Sequence, residues 1–302
     1  GFSNYLRLTN TSNTTTDTDY RFIGQTIEAQ NVANSGWNFK SSSSYVTLTA
    51  WVRSSLAGTY YGWLNSRDGT GQTYTFSYTL SANTWTKITK TIPGNSNVAI
   101  HNNNEEGLVV HFIPWYGTYY STSGHTLNTW ITQSSTNRCP DFGQNWANTS
   151  NATFDVTGVQ LEVGEQATPF EHRSYGEELA RCQRYCYRLG GLGKQYQAVG
   201  TGFIGHNGST DTGKVIVKLP TSMRTNPSVS VIGNTQGFWV HTGAAFSDMS
   251  AELTGPWDAA SNYDSVWLDF GRTGGGSPNR GVACVVYSQS SNAAEILFQA
   301  EL

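Results

Sequence analysis

Short runs of alternating apolar and polar residues, cut by Gly, Asn, Asp and Ser, dominate both ends of this chain. In YVTLTAWVR, Val46, Leu48, Ala50 and Val52 fall on one face of a strand; Thr47, Thr49, Trp51 and Arg53 fall on the other. TYTFSYTL separates Tyr74, Phe76, Tyr78 and Leu80 from Thr75, Ser77 and Thr79 in the same way. YRFIGQTIEA, TWTKITKTI, GLVVHFIPWYG, TLNTWITQ and ATFDVTGVQLEVG complete the first series. Turn residues at this spacing predict an all-β domain over 1–164, a two-sheet sandwich. The pattern returns in KVIVKLP, PSVSVIG, SVWLDFG, GVACVVYSQ and AEILFQAEL, with Val266, Leu268 and Phe270 opposite Trp267 and Asp269. A second β-sandwich is therefore expected over 192–302.

The residues between, 165–191, read differently. Ser174 stands three before Glu177, a capping box in which a hydroxyl and a carboxylate satisfy two orphan amides of a helix start. Glu177 and Glu178 fall in the first turn and Arg184 and Arg188 near the end, which suits the helix dipole. Gly190 and Gly191 supply the stop. Leu179, Cys182, Cys186 and Leu189 are spaced by three, four and three, the narrow seam of a helix that packs against copies of itself. A helix of about 15 residues, roughly 22 Å long, is marginal alone in water. It needs either a neighbouring β domain or symmetry mates, and the seam favours the mates.

These residues also carry a resemblance. GVQLEVGEQATPFEHRSYGEELARCQRY resembles a segment of bacteriophage tail-fibre and other virion-appendage proteins. The match runs through Gln160, Leu161, Glu162, Gly164, Ala167, Thr168, Phe170, Glu171, Arg173, Glu178, Leu179, Cys182, Gln183, Arg184 and Tyr185. Cys186 departs from it, standing where the family usually has a second tyrosine. KLPTSMRTNPSVSV, with Met223, Arg224 and Pro227, and the chain end QAEL resemble the distal domain of the same proteins more briefly. The resemblance implies a carbohydrate-binding-module-like jelly roll over 1–164, a linker and trimerising helix over 165–191, and a tip domain over 192–302. It further implies a homotrimer on the virion surface, as tail or capsid fibre, with a host cell-surface glycan as partner. The chain begins at Gly1 without methionine, so a longer fibre is expected, joined to other virion proteins through a missing N-terminal part. Jelly rolls of this kind often hold a structural calcium, for which Asp155 and Glu28 are the nearest candidates; two solvated carboxylates is the reading preferred to a metal site, and no cofactor is expected.

Composition narrows the alternatives. Charged residues are 13% of 302, about half the usual share, and Thr, Tyr and Trp suit sheet while Gly and Asn suit its turns. A net charge of −3 gives no basic face for nucleic acid. No apolar run approaches the roughly 18 residues of a membrane helix, so no membrane insertion is expected. Cys139, Cys182, Cys186 and Cys284 show neither metal spacing nor a disulfide framework.

Sugar recognition needs apolar rings for the C–H faces of a pyranose and polar groups for its rim. Two clusters offer both: Tyr60-Tyr61-Gly62-Trp63 with Asn65, Arg67 and Asp68 just beyond it, and Trp115-Tyr116-Gly117-Thr118-Tyr119-Tyr120. Trp51, opposite the aliphatic row, joins them as a candidate; Trp85 and Trp130 read as core. For each cluster the alternative is packing, between sheets or between subunits. In the tip domain the tryptophans Trp239 and Trp257, with His241 beside the first, are candidates for receptor contact on loops. Catalysis is not expected. Glu105 and Glu106 are the one conspicuous acidic pair, and neighbours on a strand point to opposite faces. The six histidines are scattered, and G-x-S-x-G does not occur. The alternatives to a glycan-gripping fibre are a purely structural appendage and the binding module of a polysaccharide-degrading enzyme.

Overall fold

The computed structural model describes residues 2–13, 15–190, 196–207, 210–243, 249–256, 261–275, 280–288 and 294–301. The chain is mainly β and divides into two compact units, residues 1–172 and 173–301.

Unit 1 contains β1 (Leu6–Thr9), β2 (Tyr20–Glu28), a one-turn helix α1 (Ala29–Ala33), β3 (Tyr45–Ser54), β4 (Gly58–Ser66), β5 (Gln72–Leu80), β6 (Thr86–Pro93), β7 (Glu106–Tyr116), β8 (Trp130–Thr132) and β9 (Thr153–Val163). They form two antiparallel sheets, ordered β1-β9-β3-β6 and β2-β7-β4-β5-β8. Alternation decides the core. Val46, Leu48, Ala50 and Val52 of one sheet meet Tyr60, Leu64, Tyr74, Phe76, Tyr78, Leu80, Leu108, Val110 and Phe112 of the other. Trp130 joins them, its indole N–H bonded to the Pro93 carbonyl at 2.6 Å. Trp85 does not: it lies half-buried with the Arg53 guanidinium 4.7 Å above its ring.

Within GVQLEVGEQATPFEH the side chains bond to one another and to the main chain. Glu162 accepts from both the amide (2.9 Å) and hydroxyl (2.6 Å) of Thr168, while Gln160 accepts from the Glu171 amide at 2.9 Å. Phe170 meets the Phe2 ring edge-on at 4.8 Å. Gly158 adopts φ +58, and a Cβ there would stand 2.3 Å from Phe2, so both conformation and space require glycine. Burial alone would raise the Glu162 carboxyl; the bonds from Thr168 and Gln160 outweigh it and hold the group below its ordinary range.

Unit 2 begins with α2 (Tyr175–Gln183), followed by β10 (Cys186–Leu189), β11 (Ala198–Asn207), β12 (Thr210–Lys218), β13 (Ser228–Ile232), β14 (Phe238–His241), β15 (Met249–Pro256), β16 (Ser265–Gly275), β17 (Ala283–Ser288) and β18 (Glu295–Gln299). Six strands close a barrel in the order β11-β12-β16-β15-β14-β17, and a β10-β18-β13 sheet shares its core. Val266, Leu268 and Phe270 point into that core, as alternation predicts. Arg224 donates to the carbonyls of Ala300 (2.8 Å) and Glu301 (2.7 Å), which ties the MRTNP turn to the QAE end of the chain.

The helix is present with its capping box complete: Ser174 Oγ accepts from the Glu177 amide, and the Glu177 carboxylate accepts from the Ser174 amide. Its extent corrects the expectation. It stops at Gln183, and Cys186 and Leu189 lie on a strand that pairs with β18, Cys186 opposite Gln299 and Leu189 opposite Ile296. Leu189 and Tyr187 pack on the barrel core, and Tyr187 stacks on Phe298 at 5.8 Å. Backbone pairing with an open sheet edge outweighs the helix propensity of these residues. The four-residue seam is thus split, with only Leu179 and Cys182 left on the helix. Gly190, at φ +113, ends a strand instead of a helix; Gly191 lies outside the described residues.

Candidate functional site

The five-stranded sheet buries one face in the sandwich and turns the other outward, where two structures have been built. The first is a small second core. The segments on either side of β8 fold over the outer face, so that Leu127, Cys139 and Phe142 cover Tyr61, Val109, Ile113 and Tyr116. Tyr61 meets Phe142 edge-on at 5.0 Å and donates to the Asp141 carbonyl. A bulge in β7 matters here. Arg21 pairs with Trp115 and Ile23 with Phe112, so two residue steps on β2 span three on β7. The extra residue reverses the alternation: Trp115 turns inward against the sandwich core and Tyr116 outward under the fold-back.

The second is a cleft of about 370 Å³ beside that small core, lined by Tyr20, Phe22, Trp63, Asn65, Arg67, His111, Gln133 and Arg138 among others. At its floor three rings from adjacent strands stack. Phe22 on β2 lies 4.0 Å from His111 on β7 at 11°, and Trp63 on β4 lies 3.8 Å from His111 on its other side at 28°. Only a glycine at 24 permits this, since a Cβ there would stand 2.6 Å from His111 Cδ2. Burial, then the charges of Arg67 and Arg138, push the His111 pKa down to about 3. The ring is therefore neutral at physiological pH. Asn65 is held by donation to the Gln72 carbonyl (3.0 Å), Thr73 Oγ1 (2.8 Å) and Gln133 Oε1 (3.2 Å).

The stack changes which rings can meet a ligand. Trp63 is 4% exposed, one face taken by His111, and serves as a buttress. Free ring surface belongs to Tyr20 (49% exposed) and Phe22 (38%), nearly parallel at 22° on the edge strand β2. The polar rim is Gln25, Thr26, Thr73, Gln133 and Ser134, flanked by the two arginines.

No protein-family model and no curated protein sequence matches the chain significantly. Among solved structures it is similar to the PBSX exported protein XepA, at 7% identity over 99% of this chain and 85% of that one, TM-score 0.23. It is also similar to the N-terminal CBM22-1-CBM22-2 tandem domain of Xyn10C from Paenibacillus barcinonensis, at 12% identity over 98% and 84%, TM-score 0.24. Wild-type discoidin II from Dictyostelium discoideum follows at 11% identity, 94% of each chain and TM-score 0.18. Overlaps this loose carry no argument about ligand, and the site stands on its own geometry.

Of the residues singled out from sequence, Trp63 and Arg67 line the cleft, and Tyr120 lies beneath the guanidinium of Arg138, a lining residue, 4.7 Å from its ring. Tyr119 is exposed and meets Tyr120 edge-on. Tyr61, Trp115 and Tyr116 are corrected to packing residues: the fold-back buries Tyr61 and Tyr116, and the bulge turns a half-buried Trp115 onto the sandwich core. Trp51 sits on the other sheet, paired with Lys87 and Thr157, away from the cleft. Sequence reasoning missed Tyr20, Phe22, His111 and Arg138; a glycine inside the YRFIGQTIEA strand was the available signal of a close approach. Trp239 and His241, expected on a loop, stand instead on barrel strand β14, facing outward beside Tyr287 at 6.1 and 6.5 Å. Trp257 lies outside the described residues.

The two calcium candidates are not the solvated carboxylates expected: both are buried and already engaged by other side chains. Asp155 is fully buried and both its oxygens are taken, by Arg7 (2.8 and 3.0 Å) and Arg53 (2.9 and 2.7 Å). Glu28 accepts from Gln30 Nε2 at 2.6 Å. Among the described residues no group of three or more His, Cys, Asp or Glu could hold a metal, and no helix is long and apolar enough to cross a membrane.

Proposed function

We propose that the chain is a non-catalytic carbohydrate-binding protein of a virion appendage, which grips host-surface glycan in the cleft of unit 1. The observation that carries this reading is the pairing of free aromatic surface at Tyr20 and Phe22 with a rim of amides, hydroxyls and guanidinium groups. A pyranose needs that combination, an apolar ring face beside hydrogen-bonding edges. Glu105 and Glu106 take other roles: Asn103 donates to Glu105 and Arg67 pairs with Glu106.

The reading extends to a homotrimer on the virion surface. Its support is α2, on which no residue is buried, with Tyr175 82% and Leu179 40% exposed. A nine-residue helix with apolar residues facing water gains stability from a partner. Three sites on one particle then gain avidity over a single weak one.

The test is a glycan array on the intact chain followed by titration of the best binder. Tyr20→Ala with Phe22→Ala is expected to weaken binding roughly tenfold or more, with a cooperative thermal transition showing that the double variant still folds. Retention of no glycan, or unchanged affinity in the double variant, would sink the reading. A sedimentation mass of 33.0 kDa, that of one chain, would sink the trimer.

A further inference from the structure

The cleft carries a charge imbalance that glycan binding in general does not require. Its lining contains two arginines and neither aspartate nor glutamate, in a chain whose net charge is −3. Arg67 is partly balanced, its Nε 3.0 Å from Glu106 at the surface. Arg138 makes no ion pair among the described residues, and its Nε is buried without a hydrogen-bond partner. Asp141, three residues on, accepts instead from Ser121 at 2.6 Å. The Arg138 guanidinium is held in place over Tyr120, 4.7 Å from the ring centroid. Its main chain is pinned as well, the amide donating to Tyr120 (2.8 Å) and the carbonyl accepting from Thr75 (3.1 Å). A pre-positioned guanidinium presents a planar fork that matches a carboxylate or sulfate, and little ordering remains to be done on binding.

We infer that the cleft selects an anionic saccharide, its ring against Tyr20 and Phe22 and its acidic group drawn to Arg138. The inference rests on the glycan reading of the same cleft and goes beyond it in naming the ligand's charge. Uronic and sialic acids supply the charge as carboxylate, sulfated sugars as sulfate, and Arg138 meets either through the same N–H groups.

The intact chain is screened on an array holding neutral, uronic, sialylated and sulfated glycans. For a carboxylated best binder, titration then compares the free acid with its methyl ester; for a sulfated one, with its desulfated form. The acidic form is expected to bind roughly tenfold tighter or more, and the difference to shrink as salt rises. Arg138→Gln is expected to lower the affinity for the acid to that of its neutral partner, with Arg138→Lys keeping part of the preference. Neutral best binders, or equal affinity for the two forms, would overturn this inference while leaving the glycan reading intact. Retention of nothing on the array would overturn both. Should Arg138→Gln fail to fold, the comparison of the two ligand forms on the unaltered chain still decides.

Discussion

Replacing Gly24 with alanine tests the stack on which the cleft is built. The glycine has no unusual backbone angle, so alanine is conformationally allowed and, by restricting the unfolded chain, would on its own stabilise by about 0.4–1 kcal/mol. Against this stands the clash of the new Cβ, 2.6 Å from His111 Cδ2 and 2.7 Å from Nε2. His111 has no sideways escape, with Phe22 at 4.0 Å and Trp63 at 3.8 Å on its two faces. The edge strand β2 must then move outward, and overpacking of this kind costs about 1–3 kcal/mol. The clash wins, and Gly24→Ala is expected to lower stability by about 1–2 kcal/mol. His111→Ala removes the obstacle, so in that background the same substitution becomes neutral or stabilising. The two changes therefore couple by about 1–3 kcal/mol, within the range of residues in direct contact. Urea unfolding of the four proteins of the cycle measures the coupling. Additivity within about 0.5 kcal/mol would refute the stack, and the assignment of Trp63 as its buttress would fall with it.

Two further outcomes follow from the buried charges. Asp155→Ala leaves the Arg7 and Arg53 guanidinium groups without their shared carboxylate across β1, β9 and β3, an expected cost of about 3 kcal/mol in thermal or urea unfolding; a loss under about 1 kcal/mol would contradict it. Burial alone would raise the Asp155 carboxyl, but the two arginines together hold it below its ordinary value of 3.8. Its contribution is then complete above that pH and lost as pH falls through 3.8 toward the folded value, a loss that Asp155→Asn should abolish. In unit 2, Lys214 Nζ meets both oxygens of Asp269 at 2.9 Å, with both side chains mostly buried. Lys214→Met alone should cost about 3 kcal/mol, and Lys214→Met with Asp269→Leu should recover most of it; equal losses in the single and double variants would show that the pair itself is not what matters there.

The sandwich core was legible because period-two alternation needs only neighbours along the chain. Val46, Leu48, Ala50 and Val52, and likewise Val266, Leu268 and Phe270, point inward as the pattern states. The pattern fails where a pairing partner remote in sequence intervenes. The bulge that turns Trp115 inward exists only against β2, some ninety residues earlier. The seam reading failed likewise: Cys186 and Leu189 continue a helical spacing, but the free edge of β18, over a hundred residues later, takes them as a strand. The capping box was legible because it is complete within Ser174–Glu177.

The same distinction explains the site. Aromatic density along the chain located Trp63 and the Trp115–Tyr120 run, yet dense local clusters are what a protein uses to bury rings, and most of those rings are spent on packing. On the outer face of this sheet, the rings that keep free surface stand where a strand has no further neighbour on one side. Tyr20 and Phe22 meet that condition because β2 ends the order β2-β7-β4-β5-β8. That order is set by long connections, and alternation along β2 carries no trace of it. His111 then ties the edge strand to Trp63 through a stack that no stretch of sequence contains whole. Gly24 is the one local mark of that assembly, a missing side chain where a ring from the next strand must pass.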